Sequence, residues 1–354
     1  MFAWLLAAGL FAQQAELPEQ IFRTTVNIIP VPVTVTDRDG NYVTGLKPSD
    51  FRLFDNGKPQ DIKVDVSFIP ISLVVVIQTS WNTESVLPKV KQIAPLLQGV
   101  VTGDQGEVAI LAFDHRIQHL QDFTTDADLI SKAFASLKTG STNSRLIDAV
   151  TEGIRMLARR PASRRRVILQ ISETVDRSSE GRVRDALTLA QLNNVTIETV
   201  NINRLVTTLT TKAQPPRPDP MPATARTLPA NVPPTPDAAR QLGTSSANSA
   251  NLVPVFVEIF KQVKAIFVPN PAEVFTKYTG GREYSFVSQK DLERAIQNVG
   301  QELHNQYLLS YNPNNKMEAG FHEISVQVVD NLSRPRRDVK ILTRPGYWMA
   351  AVPE

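Results

Sequence analysis

Ile71-Ser72-Leu73-Val74-Val75-Val76-Ile77 is the stretch that decides the fold, because its apolar character is almost unbroken. Such a run is typical of a parallel strand that is buried on both faces of a sheet. Helical and extended stretches alternate after it. Helices are predicted over 86–97, 126–137, 145–158 and 181–192, and strands over 106–113, 116–120, 166–172 and 195–201. This alternation predicts an α/β fold, with a doubly wound sheet that carries helices on both faces.

The segments on either side of this core have β character. Residues 25–36 alternate and are β-branched, and Pro30 and Pro32 favour a strand at the edge of its sheet. The Asn56-Gly57 step predicts a tight hairpin turn. Further strands are predicted over 306–311, 321–329 and 339–343, after helices over 271–279 and 288–303 that flank a short strand over 283–286. The simplest packing is one β-sandwich formed by strands from both ends, with the α/β domain inserted into it.

Residues 206–250 interrupt the alternation with a run rich in Pro, Thr, Ala and Ser. The run has few large apolar residues, so it cannot bury enough surface to offset the entropy lost on ordering. We predict a long disordered or extended insertion here. A spacer is the favoured role, and a Pro-rich docking segment is the alternative.

Composition limits the function classes. The 354 residues suffice for about two domains. The excess of 38 Lys+Arg over 35 Asp+Glu is too small to favour nucleic acid or a membrane surface as a binding partner. The absence of cysteine excludes disulfides, thiolate metal sites and cysteine nucleophiles. Residues 1–14 hold an apolar run typical of a signal peptide, although no Lys or Arg precedes it; a buried N-terminal helix is the alternative. We therefore expect a secreted or periplasmic protein without a membrane span.

Several short motifs occur in a specific order. They are 31–37, Gly45-Leu46-Lys47-Pro48-Ser49-Asp50-Phe51, 55–62, Gln78-Thr79-Ser80, 279–282, Gln306-Tyr307-Leu308-Leu309-Ser310-Tyr311 and Arg344-Pro345-Gly346-Tyr347. Together they resemble the acidobacterial family related to von Willebrand factor type A (vWA) domains. The resemblance implies a Rossmann-like vWA domain over 70–205 and 252–303, and β segments over 20–68 and 304–348 that pack together. It also implies binding without known catalysis.

The same resemblance implies a metal-ion-dependent adhesion site at the carboxyl ends of the strands. In the family a loop with the pattern Asp-x-Ser-x-Ser, a Thr and an Asp bind a divalent cation that bridges to an acidic group of a partner. In the first of these loops, Gln78 stands in place of the leading Asp and Asn82 in place of the second Ser. Ser80 alone matches the pattern.

The second and third loops depart from the pattern as well. The family spacing, counted back from the helix that contains Asp148, points to Ser144, and Thr142 is the choice if the loop carries an extra pair of residues. In the third loop Glu173 stands where Asp is expected, and Asp176 follows three residues later. We interpret Ser80, Asn82, Ser144, Glu173 and Gln78 as a degenerate metal site.

The substitutions weaken the case for a metal. An amide at Gln78 removes a full negative charge beside the ion, and Mg²⁺ tolerates little distortion of its ligands. We favour a remnant pocket whose polar groups bond to one another, with Mg²⁺ or another divalent cation as the alternative. The surface stays the predicted site for a protein partner, with Trp81, Thr142 and Asp176 as contacts. Trp81 is either an interface anchor or a cover for the pocket.

The remaining signals do not indicate catalysis. The arginine-rich stretch 159–166 has two interpretations, a contact site for an anion or, as is more usual, the solvated end of a helix. His115 and His119 lack the carboxylate spacing of a zinc site, and no Gly-x-Ser-x-Gly nucleophile motif occurs. We expect a non-enzymatic protein that binds a protein partner. The alternative is a structural or accessory component of an envelope or secretion assembly that acts through the β-sandwich and the insertion.

Overall fold

The computed structural model describes residues 28–65, 69–202, 270–314 and 320–349. The expected signal peptide at 1–14 and the Pro-rich insertion at 206–250 lie outside the described residues. The strands are β1 (Ile29–Asp37), β2 (Phe51–Asp55), β3 (Lys58–Gln60), β4 (Ile62–Asp65), β5 (Ile71–Gln78), β6 (Glu107–Phe113), β7 (Ile117–Thr124), β8 (Arg165–Ser172), β9 (Val195–Ile202), β10 (Glu283–Phe286), β11 (Tyr307–Tyr311), β12 (Gly320–Val328), β13 (Val339–Thr343) and β14 (Gly346–Met349). The helices are α1 (Leu87–Lys91), α2 (Ala94–Leu96), α3 (Ala127–Ala135), α4 (Leu146–Ala158), α5 (Val183–Leu192), α6 (Pro271–Thr279) and α7 (Gln289–Asn305).

The central sheet contains six strands in the order β10-β9-β8-β5-β6-β7. All neighbours are parallel except β7, which runs antiparallel to β6. Every residue of β5 is buried, as its apolar sequence predicts. Its position in the middle of the sheet explains this burial, because strands and helices cover it on all sides.

Helices cover both faces of this sheet. Phe134 of α3 and Ile296 of α7 belong to the hydrophobic cluster on one face, while Ile154 of α4 and Phe275 of α6 belong to the cluster on the other. The predicted doubly wound α/β sheet is therefore confirmed.

The single helix predicted over 86–97 is wrong. The structure has the short helices α1 and α2 there, followed by a π-helical turn over Leu97–Thr102. Each short helix has a proline in its first turn, Pro88 and Pro95. Proline has no N–H to donate within a helix, and its ring clashes with the preceding turn, so each one starts a new helix.

Two further four-stranded sheets have the orders β13-β1-β11-β4 and β14-β12-β2-β3. Side chains from both sheets form one hydrophobic cluster, which includes Val33, Leu53, Leu309 and Ile324. These strands come from both ends of the described chain. The Asn56-Gly57 turn between β2 and β3 has positive φ at both residues, which is the backbone that the predicted hairpin requires.

The prediction of an edge position for the proline-containing strand is wrong, because β1 lies between β11 and β13. The pairing is staggered. Residues Ile29–Val33 pair with β11 on one side, and Val33–Asp37 pair with β13 on the other. Pro30 and Pro32 therefore lie where β1 has a partner on one side only, so the missing N–H groups leave no gap in the ladder.

A buried polar network joins the sandwich to the α/β unit. Glu302 of α7 accepts a hydrogen bond from Thr34 of β1 at 2.9 Å and one from Tyr284 at 2.7 Å, and it pairs with Arg282 at 3.0 Å. Burial, and then the nearby Glu302 carboxylate, raise the pKa of Glu198 to about 8.

Among the described helices, none has the length and apolar character needed to cross a membrane.

Candidate functional site

Three loops meet at the carboxyl end of the central sheet. The first loop (79–86) follows β5, the second loop (136–145) precedes α4, and the third loop (173–182) follows β8. Backbone hydrogen bonds join them: Gly140 N–H donates to Thr79 O at 2.7 Å, Trp81 N–H to Ser141 O at 2.8 Å and Arg177 N–H to Ser144 O at 3.0 Å. The doubly wound fold places its usual binding site at this end of the sheet.

Gln78, Ser80 and Glu173 form one buried network. The backbone N–H of Glu173 donates to Gln78 Oε1 at 2.8 Å, and the Gln78 amide nitrogen donates to Ser80 Oγ at 2.7 Å. The same nitrogen lies 3.5 Å from Glu173 Oε2. All three side chains are at most 2% exposed. The structure thus brings together three of the five predicted metal-site residues.

The orientation of the Gln78 amide follows from this network. The Glu173 backbone N–H can only donate, so its partner must be the amide oxygen, and the amide NH₂ must face Ser80 and Glu173. An NH₂ group has no lone pair to offer a hard cation, which takes oxygen ligands. The donor set at this position therefore does not fit Mg²⁺ or a similar dication.

The charges agree with this conclusion. Arg177 Nη2 lies 3.8 Å from Glu173 Oε2, so a guanidinium partly neutralises the one carboxylate of the network. Within the described part of the chain, no group of three or more His, Asp or Glu side chains lies close enough to hold a metal ion. A positive side chain therefore already lies beside the Glu173 carboxylate.

Ser144 and Asp176 fix the loops. The Ser144 hydroxyl donates to Val175 O at 3.3 Å, across to the third loop. The Asp176 carboxylate accepts the Ile147 N–H at 3.2 Å and the Ser179 hydroxyl at 2.6 Å, which caps the first turn of α4. The structure therefore gives the predicted partner contact Asp176 a clear role in holding the third loop against α4.

The other predicted contacts lie at the surface. Trp81 and Asn82 belong to a short 3₁₀ turn, Trp81–Thr83, and both are partly exposed. Thr142 in the second loop is exposed. Neither Asn82 nor Thr142 is as deeply buried as Gln78, Ser80 and Glu173. Gln78, Ser80 and Glu173 therefore form the buried network, Ser144 is buried against the third loop, and Trp81, Asn82 and Thr142 lie nearer the surface.

Asp114, which directly follows β6, is a buried residue of the site that the sequence reasoning missed. Its Oδ2 accepts the Ser141 N–H at 2.8 Å and contacts His115 Nδ1 at 2.8 Å. A Cβ added at Gly140 would collide with this carboxylate, so the close approach of the second loop requires glycine. Burial acts to raise the pKa of Asp114, but hydrogen bonds from Ser141, Arg116 and His115 outweigh it and lower the pKa below its usual value.

Ser141 and His115 are within hydrogen-bond distance, which raises the question of hydrolysis. His115 Nδ1 lies 2.9 Å from Ser141 Oγ and 2.8 Å from Asp114 Oδ2. A nitrogen that faces an ionised carboxylate carries a proton, so it donates and cannot take the serine proton. A Ser-His-Asp triad instead uses opposite ring nitrogens for the two partners. The contact therefore lacks the geometry of an activated nucleophile, and the absence of enzymatic activity stays a prediction.

The remaining histidine of that region, His119, lies apart from His115. Its Nε2 contacts Glu152 of α4 at 3.3 Å. The two histidines therefore have separate partners, one in the turn after β6 and one on the face of β7.

No protein-family model matches the chain, and no curated protein matches it in sequence. Solved structures are similar to parts of it. The SpRpn10 VWA domain is 17% identical, with 40% of this chain and 79% of that chain covered and a TM-score of 0.32. The vWF domain of the type V pili tip protein Mfa5 from Porphyromonas gingivalis is 18% identical, with 31% and 40% covered and a TM-score of 0.27.

Proximal thread matrix protein 1 from the mussel byssus, with a zinc-occupied MIDAS motif, is 10% identical, with 70% of this chain and 49% of that chain covered and a TM-score of 0.40. This chain spans less than half of the pili tip and thread matrix chains that it matches. At these identities and TM-scores the likeness concerns the fold alone.

Proposed function

We propose that this chain is an exported, non-enzymatic vWA-type protein that binds a protein partner through the three loops at the carboxyl end of the sheet, without a divalent cation. One observation carries the metal-free part of the proposal: Glu173 N–H fixes the Gln78 amide so that its NH₂ group faces Ser80 and Glu173. In this arrangement the Gln78 NH₂ group already makes the contacts to Ser80 and Glu173 that a cation would make.

The partner surface lies directly above this network. It combines Trp81, which is partly exposed, with the exposed Thr142 and with His115 and Arg177, whose side chains are 45% and 38% exposed. Tryptophan and arginine are the residue types that contribute most to protein interfaces. The surface rests on loops that are hydrogen-bonded to one another, so little ordering is needed when a partner binds.

Arg177 suggests the chemistry of the partner. Its guanidinium contacts Glu173 from one side at 3.8 Å and is otherwise partly open to solvent. A carboxylate of the partner would form a charge-assisted hydrogen bond with it, which is among the stronger polar contacts available to proteins. The partner therefore presents an acidic side chain beside an apolar group for Trp81.

Export is proposed from the apolar run at residues 1–14, which is the length of a signal-peptide core. The non-enzymatic part is proposed from the sequence, which lacks a nucleophile motif, and from the Ser141–His115 geometry described above.

The test is a pull-down from periplasmic or secreted extract, with the full chain as bait. Wild type, Trp81→Ala, Arg177→Ala and the control Arg334→Ala are compared, since Arg334 is 70% exposed and lies in the sandwich. Each variant is first checked for an unchanged melting temperature. We expect a partner that wild type and the control retain, in EDTA and in Mg²⁺ alike, and that both loop variants lose. Identical partner profiles for all four proteins would reject this surface, and loss of the partner in EDTA would reject metal independence.

A further inference from the structure

A cavity lies between the α/β unit and the sandwich, at the end of the central sheet opposite to the three loops. It has a volume of about 360 Å³. Arg165 and Arg166 at the start of β8 and residues 193–196 at the start of β9 line it from one side. Pro32 of β1 and Arg344, between β13 and β14, line it from the other. None of these residues belongs to the three loops described above.

The lining is strongly positive. Four of the lining residues are arginines, namely Arg164, Arg165, Arg166 and Arg344, and none of the described lining residues is Asp or Glu. Two of the four, Arg164 and Arg165, have no buried nitrogen that lacks a hydrogen-bond partner among the described residues. Arg164 pairs with Glu107 at 3.3 Å, and Arg165 donates to Leu303 O at 2.7 Å and also to Gln306.

The other two arginines keep donors free. Arg344 is 4% exposed, and its Nε and Nη2 have no hydrogen-bond partner among the described residues. The buried Nε of Arg166 also lacks a partner in the described part of the chain, although its two terminal nitrogens donate to Asn193 O and Arg160 O. Three buried guanidinium nitrogens on two cations thus lack an acceptor among the described residues, beside one cavity.

Such an arrangement is costly in the protein alone. A buried charge is usually paired, and buried donors are nearly always hydrogen-bonded. Burial lowers the pKa of Arg344 to about 10, and the groups that counter this are the phenols of Tyr311 and Tyr347. Those phenols donate to Asp55 at 2.7 and 2.8 Å, so their hydrogens are directed at another group. A ligand with negative oxygens would supply the missing acceptors.

We propose that this cavity binds a small molecule that carries an oxyanion group, with Arg344 and Arg166 as its charged ligands. The planar guanidinium matches phosphate and carboxylate oxygens through paired N–H donors. The volume is at the lower end of the range for small-molecule sites, about 300–1,000 Å³, and it accommodates more than a free ion. Because the two arginines come from different structural units, the ligand fastens the sandwich to the α/β unit.

The test measures anion binding to the full chain by calorimetry and by thermal shift. The probes are inorganic phosphate and glycerol 3-phosphate in one arm and citrate in the other, with sodium chloride at matched ionic strength as control. We expect saturable binding in at least one arm, and a melting temperature raised by roughly 5 °C or more at a hundredfold excess over the dissociation constant. A lower dissociation constant for the phosphate probes identifies a phosphate ligand, and a lower one for citrate identifies a carboxylate ligand.

Arg344→Gln and Arg166→Gln are the test variants, and Arg334→Gln, on the exposed surface of the sandwich, is the control. We expect each test variant to weaken the best probe at least tenfold, while the control binds as wild type does. The Arg344 guanidinium lies 5.7 Å from the centroid of the Tyr347 ring, but its Nε and Nη2 have no hydrogen-bond partner among the described residues. Without anion, Arg344→Gln is expected to melt no lower than wild type, because it removes a buried charge with unsatisfied donors; a purely structural arginine would lower the melting temperature. No saturable binding of any probe, or full binding by Arg166→Gln, overturns the proposal even where Arg344→Gln does not fold.

Discussion

The metal-free interpretation of the site makes a quantitative prediction for Gln78→Asp, which restores the carboxylate of the family pattern. In the wild type the Gln78 amide nitrogen lies 3.5 Å from Glu173 Oε2 and attracts it. Aspartate is one methylene shorter, so the two carboxylates would lie about 5 Å apart. With an effective dielectric constant of about 20, their repulsion is about 3 kcal/mol.

The matched control is Gln78→Asn, which has the size of aspartate and the neutrality of glutamine. Both variants lose the bond to Glu173 N–H through shortening, so the difference between them isolates the charge. A destabilisation of about 3 kcal/mol lowers the melting temperature by about 6–12 °C in a domain of this size. We therefore expect Gln78→Asp to melt lower than Gln78→Asn by that amount at pH 7 in EDTA.

A titration with Mg²⁺ then distinguishes the metal-free interpretation of the wild-type site from a site that binds a cation. With two carboxylates and Ser80 in place, Mg²⁺ is expected to recover much of the stability of Gln78→Asp in a thermal-shift titration. The wild type and Gln78→Asn are expected to show no saturable response, because an amide NH₂ faces the cation position. A clear Mg²⁺ response of the wild type, or equal melting temperatures of the two variants, would refute the reasoning.

Three further predictions concern the rest of the structure. The raised pKa of Glu198 means that its protonated form, held next to Glu302, contributes stability that is fully present below the unfolded value of 4.5 and is lost as the pH rises from there through about 8. Glu198→Gln should flatten this decline, which has a slope of up to about 1.4 kcal/mol per pH unit in urea unfolding. The lowered pKa of Asp114 contributes stability above its unfolded value that is lost on acidification, so Asp114→Asn should cost about 1–3 kcal/mol at pH 7 and weaken the loss of stability towards acid pH. Deletion of residues 206–250 should leave the melting temperature and partner capture unchanged; loss of capture would favour a role for the insertion in an envelope or secretion assembly.

Much of the fold could be predicted because its signals are local. The buried character of β5 and the alternation that follows it depend on apolar side chains close in the sequence. The Asn56-Gly57 turn is also set by two adjacent residues. The position of β1 was not predictable in this way, because a strand's neighbours are set by distant segments. Staggered pairing places its prolines at a local edge inside the sheet.

The candidate site was predicted in part for the same reason. Gln78 and Glu173 each end or follow a buried strand, so their meeting follows from the sheet. Asp114 follows β6 directly, and the same rule applied to every strand end would have found it. The role of Arg177 had no such signal, because a loop residue reaches its partner through a backbone path that only the folded third loop defines.

Gln78 and Glu173 both depart from the pattern of the family that the sequence resembles, and both belong to one hydrogen-bonded network. A carboxylate at position 78 would need a cation beside it, whereas the Gln78 amide carries both an acceptor for Glu173 N–H and donors for Ser80 and Glu173. Glu173 Oε2 lies 3.8 Å from Arg177 Nη2, so a positive side chain lies beside the carboxylate of the network. Gln78 and Glu173 each supply a contact to the other, through the Glu173 N–H to Gln78 Oε1 and the Gln78 amide nitrogen to Glu173 Oε2. Within the network the Gln78 amide and the Ser80 hydroxyl are both hydrogen-bonded, whereas the buried Oγ of Ser178 in the third loop has no partner among the described residues. The contacts within the network therefore support the proposal of a metal-independent surface that includes Arg177 and Trp81.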